Sequence, residues 1–410
     1  MSQTIIVIGA GQAATEFAVA LRGGGFAGDI RILGDEPYLP YQRPPLSKDF
    51  LSGKSPYEKL MLRPESFWRE QKIAFELGVP VTAIDRTKRA VALQDGRSFE
   101  YGTLVIATGT RARIPPLPGI ELEGVYSLRK IDDVNKLRPA LNAAKRVAIV
   151  GGGYIGLEVA AVARSEGREV VVVEAEERVM KRVTCADVSA FYESMHRKHG
   201  VDIRLGCKLE AIEGNGHASG LRLAGGERVA ADVVLVSTGA RPNDELASAA
   251  GLACEDGILV DEFARTADPQ IYAIGDCTRL PSRRYGRKIR LECVQNAFDQ
   301  AKAAAAAILG KGTPYDPVPW FWSDQYDLCI QIAGLPDMAT VHVDRRPKPE
   351  ALLRFHLDAQ GRLVAASGVG PLGDIARDIR LAEMLIARGA TPDPALLADP
   401  QLPLKSLLAA

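Results

Sequence analysis

Residues 147–160, "VAIVGGGYIGLEVA", pass from a β-branched apolar segment through three glycines into apolar residues at helical spacing. That is the pattern of a strand, a tight turn and a helix whose N-terminus faces a phosphate. Residues 6–15, "IVIGAGQAAT", have the same pattern. Two such turns in one chain give it two places for a dinucleotide.

Each turn opens a βαβ unit. "TIIVIGAGQAATEFAVALRGGG" leads to a second strand in "DIRILGDE", and "RVAIVGGGYIGLEVAAVARSEG" leads to "REVVVVEAEE". Gly9 and Gly151 are about 142 residues apart, a period of whole domains rather than of a solenoid. At 410 residues the chain exceeds one hydrophobic core. Apolar strands at "YGTLVIATGTRARIPPLPG" and "ADVVLVSTGARPN" end in small-residue turns near prolines and read as crossings between domains. A third, "QIYAIGDCTRL", is followed by an alanine-rich helix from about Val294 to Leu309. From Pro317 the pattern changes, with strands at "LCIQIAG", "TVHVD" and "ALLRFHL" and a final helix at Ile375–Arg388. The expected fold is α/β: two Rossmann-like dinucleotide-binding domains, the first discontinuous (1–110 and 240–316), the second at 111–239, and a C-terminal α+β domain at 317–410.

Hydrophobic residues make up 47% and charged residues 25%, and the 51 basic and 51 acidic side chains cancel, so nothing points to nucleic acid. The N-terminal apolar run is cut by Gly9, Gly11 and Glu16, unlike a signal peptide, and Val147–Leu157 is too short to span a bilayer. A soluble, cytoplasmic protein without membrane partners is expected. The six cysteines are scattered, with no C-x-x-C or C-x-x-x-x-C pair, so free thiols are expected and no metal site.

Gly9-x-Gly11-x-x-Ala14 and Gly151-x-Gly153-x-x-Gly156 match the dinucleotide fingerprint, in which glycines permit the turn and close approach of the pyrophosphate. A glycine turn that only packs helix on strand is the alternative, opposed by the acidic residues that follow each second strand, Asp35 and Glu36, then Glu174. Glu174 suits a free ribose 2′-hydroxyl and hence NADH; Arg178, Lys181 and Arg182, just beyond it, suit a 2′-phosphate instead. A resident flavin beside a transient nicotinamide implies hydride transfer between two cofactors.

The order "GAGQAA", "ATG", "GGGYIG", "STG" and "AIGDC" resembles the two-dinucleotide-binding-domain flavoprotein reductases related to glutathione reductase. "RPPLSK" (43–48), "VSAFYE" (188–193), "ELASAAGL" (245–252) and "PWFWSDQY" (319–326) are similar to the ferredoxin reductases of bacterial oxygenase systems, the putidaredoxin reductase type. The resemblance covers nearly the whole chain. It implies that FAD is held by Gly9, Gly11, Ala13, Asp35, Arg43, Lys48, Val81, Arg129, Asp276, Val294 and Trp322. NADH would be held by Gly151, Gly153, Ile155, Gly156, Glu174, Gly239 and Glu292, with Tyr154 gating the nicotinamide side. It also implies a Lys48–Glu158 pair beside the reactive edge of the flavin. Simpler readings stand beside these: a Gly-Asp turn for Asp276, an exposed helix charge for Glu158, and packing for Tyr154, Trp320 and Trp322.

Disulfide reductases of this superfamily pass electrons to a cysteine pair near the first helix or beside the second fingerprint. This chain has no cysteine before Cys185, so electrons are expected to leave directly to an outside acceptor, a [2Fe-2S] ferredoxin that serves a cytochrome P450 or a Rieske oxygenase. "RLPSRRYGRKIR", Arg279–Arg290, has six basic residues in twelve and no acid. Arg283, Arg284 and Arg287 are its candidate docking residues, against the plain reading of a solvated face. A monomer or weak dimer is expected. Rubredoxin reductase or NADH oxidase on the same scaffold is the rival enzyme, and a redox-controlled binding protein like the apoptosis-inducing factors is the rival from another class.

Overall fold

The computed structural model describes residues 4–408. The chain divides into two compact units: one comprises residues up to Arg43, Pro56–Arg111 and Ala240–Pro317; the other comprises Pro44–Ser55, Ala112–Gly239 and the chain from Val318. Among the described residues no helix is long and apolar enough to cross a membrane.

The first unit is built on five parallel strands in the order Ile271–Ala273, Thr103–Ile106, Ile5–Ile8, Ile30–Gly34, Ile73–Leu77. Parallel strands covered on both faces must be apolar throughout, and Ile5–Ile8 and Ile271–Ala273 are buried at every position. Helix Gln12–Gly23 packs against helix Val294–Ile308. Ala13, Ala14 and Ala18 of one and Ala297, Ala301, Ala304 and Ala305 of the other share a buried cluster, in which small side chains let two backbones approach. Phe17 and Leu21 are fully buried there, each stabilising the unit by about 1.5–3 kcal/mol.

The second unit repeats the plan with parallel strands in the order Asp202–Arg204, Glu169–Val173, Arg146–Val150, Val233–Val236, Val125–Tyr126. A three-stranded antiparallel sheet, Leu209–Asn215, His217–Leu223 and Arg228–Ala230, is inserted in the sequence between strands Asp202–Arg204 and Val233–Val236, where no strand was expected.

The C-terminal part is an antiparallel sheet ordered Trp320–Gln325, Leu328–Gly334, Leu363–Gly370, Ala351–Leu357, Val341–Lys348, with helix Leu372–Ala387 against it. Two of these strands, Trp320–Gln325 and Leu363–Gly370, escape the sequence pattern. The helix is not the last element either, since Pro394–Ala398 and a 3-10 turn at Leu404–Leu408 follow. One buried cation ties down that tail. Arg345, 4% exposed, donates to the carbonyls of Leu397 (3.3 Å), Asp399 (2.6 Å), Pro400 (3.5 Å) and Leu402 (2.7 Å) and pairs with Asp378 (3.3 Å). A planar guanidinium carries five N–H donors in a fixed fork, enough for all of these acceptors, where an ammonium has only three.

Candidate functional site

The two glycine turns are built alike. Gly9 and Gly151 both have φ of +106°, a conformation open to glycine at little strain. A Cβ on Gly9 would lie 2.2 Å from the carbonyl oxygen of Ala107, and one on Gly151 would lie 2.3 Å from that of Ser237. These neighbours belong to "ATG" and "STG", so each first glycine is required by the strand beside it. The second glycines differ in kind. Gly11 and Gly153 are extended N-caps of helices Gln12–Gly23 and Tyr154–Ser165, with no side-chain cap, and a Cβ on either would meet nothing within 4 Å. Backbone N–H groups that no side chain caps, facing open space at a helix N-terminus, suit an anionic pyrophosphate. The residues present therefore fit a dinucleotide at each turn. The third positions also differ: Ala14 fits its site with its methyl, whereas a Cβ on Gly156 would lie 2.2 Å from the Gly151 carbonyl oxygen.

In the first unit, Ala13 is buried in the first turn of its helix and Asp35 is exposed just past strand Ile30–Gly34. Its neighbour Glu36 is buried, accepting from Arg43 Nη2 at 2.8 Å and from Tyr41 Oη at 2.6 Å. Val81 opens strand Val81–Asp85. Asp276 lies in the 3-10 turn Gly275–Cys277, its Oδ2 3.5 Å from Thr110 Oγ1. Val294 is the first residue of its helix. Glu292 is exposed and pairs with Arg290.

The basic stretch forms an antiparallel hairpin, Thr278–Ser282 with Arg287–Ile289. Its charge is largely compensated by acids outside the stretch. Arg279 and Lys288 lie near Glu255, Arg283 pairs with Glu262 at 3.0 Å, and Arg290 pairs with Asp256 at 3.2 Å and with Glu292. The Arg284 backbone N–H donates to Asp316. Composition within the stretch overstated the cationic surface.

The second unit holds the residues from Lys48, Arg129, Trp322 and the second fingerprint. Glu174, just past strand Glu169–Val173, accepts from the Gly152 N–H at 2.7 Å and from the Glu176 N–H at 2.9 Å, so its carboxylate braces the glycine turn. Lys181 is taken up by Glu176 (2.7 Å) and Glu177 (2.6 Å), and Arg178 by the carbonyls of Thr184 and Lys181. Arg182 lies beside Gly239, whose φ is +108°. Ile155 is half-buried in the first turn of its helix, and the Arg129 N–H donates to Asp133.

Glu158, on helix Tyr154–Ser165, is 5% exposed, which removes the reading of an exposed helix charge. Lys48 Nζ lies 2.7 Å from its Oε1, and the hydroxyls of Ser47 and Ser323 both donate to the carboxylate. Tyr154 stacks on Phe321 at 4.2 Å and 29°, and burial, with the Glu158 charge adding to it, pushes its phenol well above the ordinary range. Trp320 and Trp322 stack on each other at 5.1 Å against the C-terminal core. Sequence reasoning missed Ser47 and Ser323, although "RPPLSK" and "PWFWSDQY" each contain one. All six cysteines are free; Cys277 and Cys329 are buried.

Comparison with known proteins agrees with this geometry. Residues 3–301 match the family described as pyridine nucleotide-disulphide oxidoreductase, and residues 320–408 match the reductase C-terminal family. The chain is 40% identical over 407 residues to rhodocoxin reductase of Rhodococcus erythropolis, covering 99% of this chain and 94% of that protein. It is 38% identical over 417 residues to putidaredoxin reductase of Pseudomonas putida, covering 100% and 97%. The crystal structure of the ferredoxin reductase for the CYP199A2 system of Rhodopseudomonas palustris superposes with a TM-score of 0.95 at 38% identity over 100% of both chains. With two dinucleotide turns on parallel sheets and an antiparallel C-terminal sheet, the chain belongs to the pyridine nucleotide-disulphide oxidoreductase family and carries that family's reductase C-terminal domain.

Proposed function

We propose that this protein is an FAD-dependent NADH:ferredoxin reductase, in which one NADH reduces two [2Fe-2S] ferredoxins and one proton is released. The observation that carries the reading is the pair of like-built glycine turns in a chain whose first cysteine is Cys185. Two dinucleotides are accommodated, and no cysteine lies on either fingerprint or on the Pro44–Ser55 segment to take the electrons onward. Bound FAD supplies two-electron uptake from NADH and release of single electrons.

The protein's own residues bind and orient. The first turn, with Arg43, Asp276 and the N-terminus of helix Val294–Ile308, would hold FAD; the positive end of that helix favours negative charge on a neighbouring ring. The second turn would hold NADH, with Glu174 accepting from the ribose 2′-hydroxyl. A 2′-phosphate would meet that carboxylate, while Lys181 is already engaged by two glutamates, so NADH is favoured over NADPH. Lys48, held by Glu158, would present an ammonium to the reactive edge of the flavin. Trp322, Val81 and Arg129 would complete the flavin site, and Ile155, Gly239 and Glu292 that of NADH.

The ferredoxin reductase for the CYP199A2 system is named for the protein it reduces, which supports a ferredoxin as partner here. The terminal oxygenase would be a cytochrome P450 or a Rieske enzyme. Purified protein supplied with NADH and, in turn, a [2Fe-2S] ferredoxin, a rubredoxin or oxygen alone ranks the acceptors. Fastest turnover with the ferredoxin is expected; fastest turnover with oxygen alone would make the protein an NADH oxidase.

A further inference from the structure

The polar contacts of Glu158 do not stop at Ser323. Gln325 Nε2 lies 3.3 Å from Ser323 Oγ, and Gln325 Oε1 lies 2.7 Å from His196 Nε2. Every member is shielded from solvent: His196 and Ser323 are 0% exposed, Gln325 2% and Glu158 5%. We propose that Ser323, Gln325 and His196 are positioning residues for the Lys48–Glu158 pair, joined in a hydrogen-bonded chain whose donors all run toward the Glu158 carboxylate.

The direction follows from what each atom can do. A carboxylate only accepts, so the Ser323 hydroxyl spends its proton on Glu158. Its oxygen is then left to accept, and the amide N–H of Gln325 donates to it. The amide carbonyl of Gln325 consequently faces His196 and requires an N–H on Nε2. That places the neutral ring's bare lone pair on Nδ1, which is buried and has no hydrogen-bond partner. Burial pushes the imidazole down to about 4, with His199 adding to the shift and the Gln325 bond opposing it, so the ring is neutral at physiological pH.

The chain is held at both ends. Ser323 and Gln325 lie two apart on strand Trp320–Gln325 and are both buried, so one strand face presents them together. The next residue, Tyr326, has φ of +57°, a strained conformation for a bulky side chain, and its ring stacks on His199 at 3.8 Å and 12°. His199 directly follows helix Ala186–Lys198, which carries His196, so this stack fixes the strand end against the helix. Buried polar chains with every donor assigned specify one geometry, and here that geometry is the aim of the Glu158 oxygens at Lys48.

The inference rests on the reading above that the Lys48–Glu158 pair serves flavin reduction. Three measurements on the FAD-loaded protein test it. Imidazole 15N shifts of the oxidised wild type are expected to show His196 with its proton on Nε2; a proton on Nδ1 would overturn the assigned direction. Single-turnover flavin reduction at saturating NADH is expected to slow about tenfold in S323A, Q325L and H196L, with NADH affinity unchanged and with H196Q restoring the rate. The S323A/Q325L double variant is expected to be no slower than S323A alone, since both break one chain. Independent, multiplying effects would overturn the proposal. K48M and E158Q separate the two layers. If they slow reduction while the chain variants do not, the positioning role fails and the pair's role stands. If they leave reduction unchanged, the reading of the pair fails and the proposal falls with it.

Discussion

Lys48 Nζ and Glu158 Oε1 lie 2.7 Å apart, although 110 residues of chain separate the two positions, and the pair is buried unequally. Lys48 keeps 21% of its side-chain surface in water and Glu158 only 6%. Removing the cation strands a charge that has nowhere to go; removing the anion leaves an ammonium that can turn toward solvent. K48M is therefore expected to lower stability by about 3 kcal/mol, and E158Q by less. Urea unfolding of both variants checks this, and a larger loss in E158Q would contradict the burial argument.

The glycine turns separate backbone need from ligand need. G151A must adopt φ near +106° and push against the Ser237 carbonyl, so it is expected to fold poorly. G153A, at φ of −82° with open space around its Cβ, is expected to keep wild-type stability and lose NADH affinity by about tenfold or more. G11A should do the same for FAD retention. Unimpaired NADH binding in a folded G153A would show that the space serves no nucleotide.

Two buried histidines make the protein sensitive to acid. Burial pushes His196 down to about 4. It pushes His356 down to about 3, with His342 and Arg354 adding to the shift and Asp344 opposing it. The unfolded chain takes up protons at both sites below its ordinary value of about 6.5, and the folded protein does not until these lower values. Stability is thus full above pH of about 6.5 and falls as pH drops, by about 1.4 kcal/mol per unit for each site. Thermal unfolding from pH 8 to pH 4 is expected to show this slope, shallower in H196Q and H356Q; an unchanged slope in both would contradict the assignment.

Arg283, on the turn of the basic hairpin, and Arg287, which opens its second strand, are both exposed. If ferredoxin docks there, R283E/R287E is expected to slow ferredoxin reduction about tenfold at low salt, with the difference shrinking at high salt. Flavin reduction by NADH should be unaffected. Equal ferredoxin rates at low salt would place docking elsewhere.

What could be read in the sequence follows from the range of the forces involved. The fingerprints, the strands before them and the helices after them are local patterns, so Gly9, Gly151 and Val294 take the positions their neighbours dictate. Glu174 is likewise legible as the residue that ends a strand, but its bond to the Gly152 N–H is not. Partners from distant parts of the chain were hidden. Nothing near "RLPSRRYGRKIR" announces Glu255, Asp256 or Glu262, and nothing near Glu158 announces Ser323, Gln325 or His196. Strand Leu363–Gly370 escaped because its alanines, serine and glycines carry little β signal; it is a strand because both neighbouring strands pair with it.

In the proposed function, electrons pass from NADH to bound flavin and straight on to an iron-sulfur protein. Anaerobic titration of the yellow holoprotein, first with NADH and then with oxidised [2Fe-2S] ferredoxin, follows both steps by absorbance. Bleaching of the flavin by one equivalent of NADH, far faster than by NADPH, and recovery of the flavin spectrum as the ferredoxin is reduced is the predicted result. Flavin that bleaches but is not reoxidised by ferredoxin, or a purified protein with no flavin spectrum, would contradict the account.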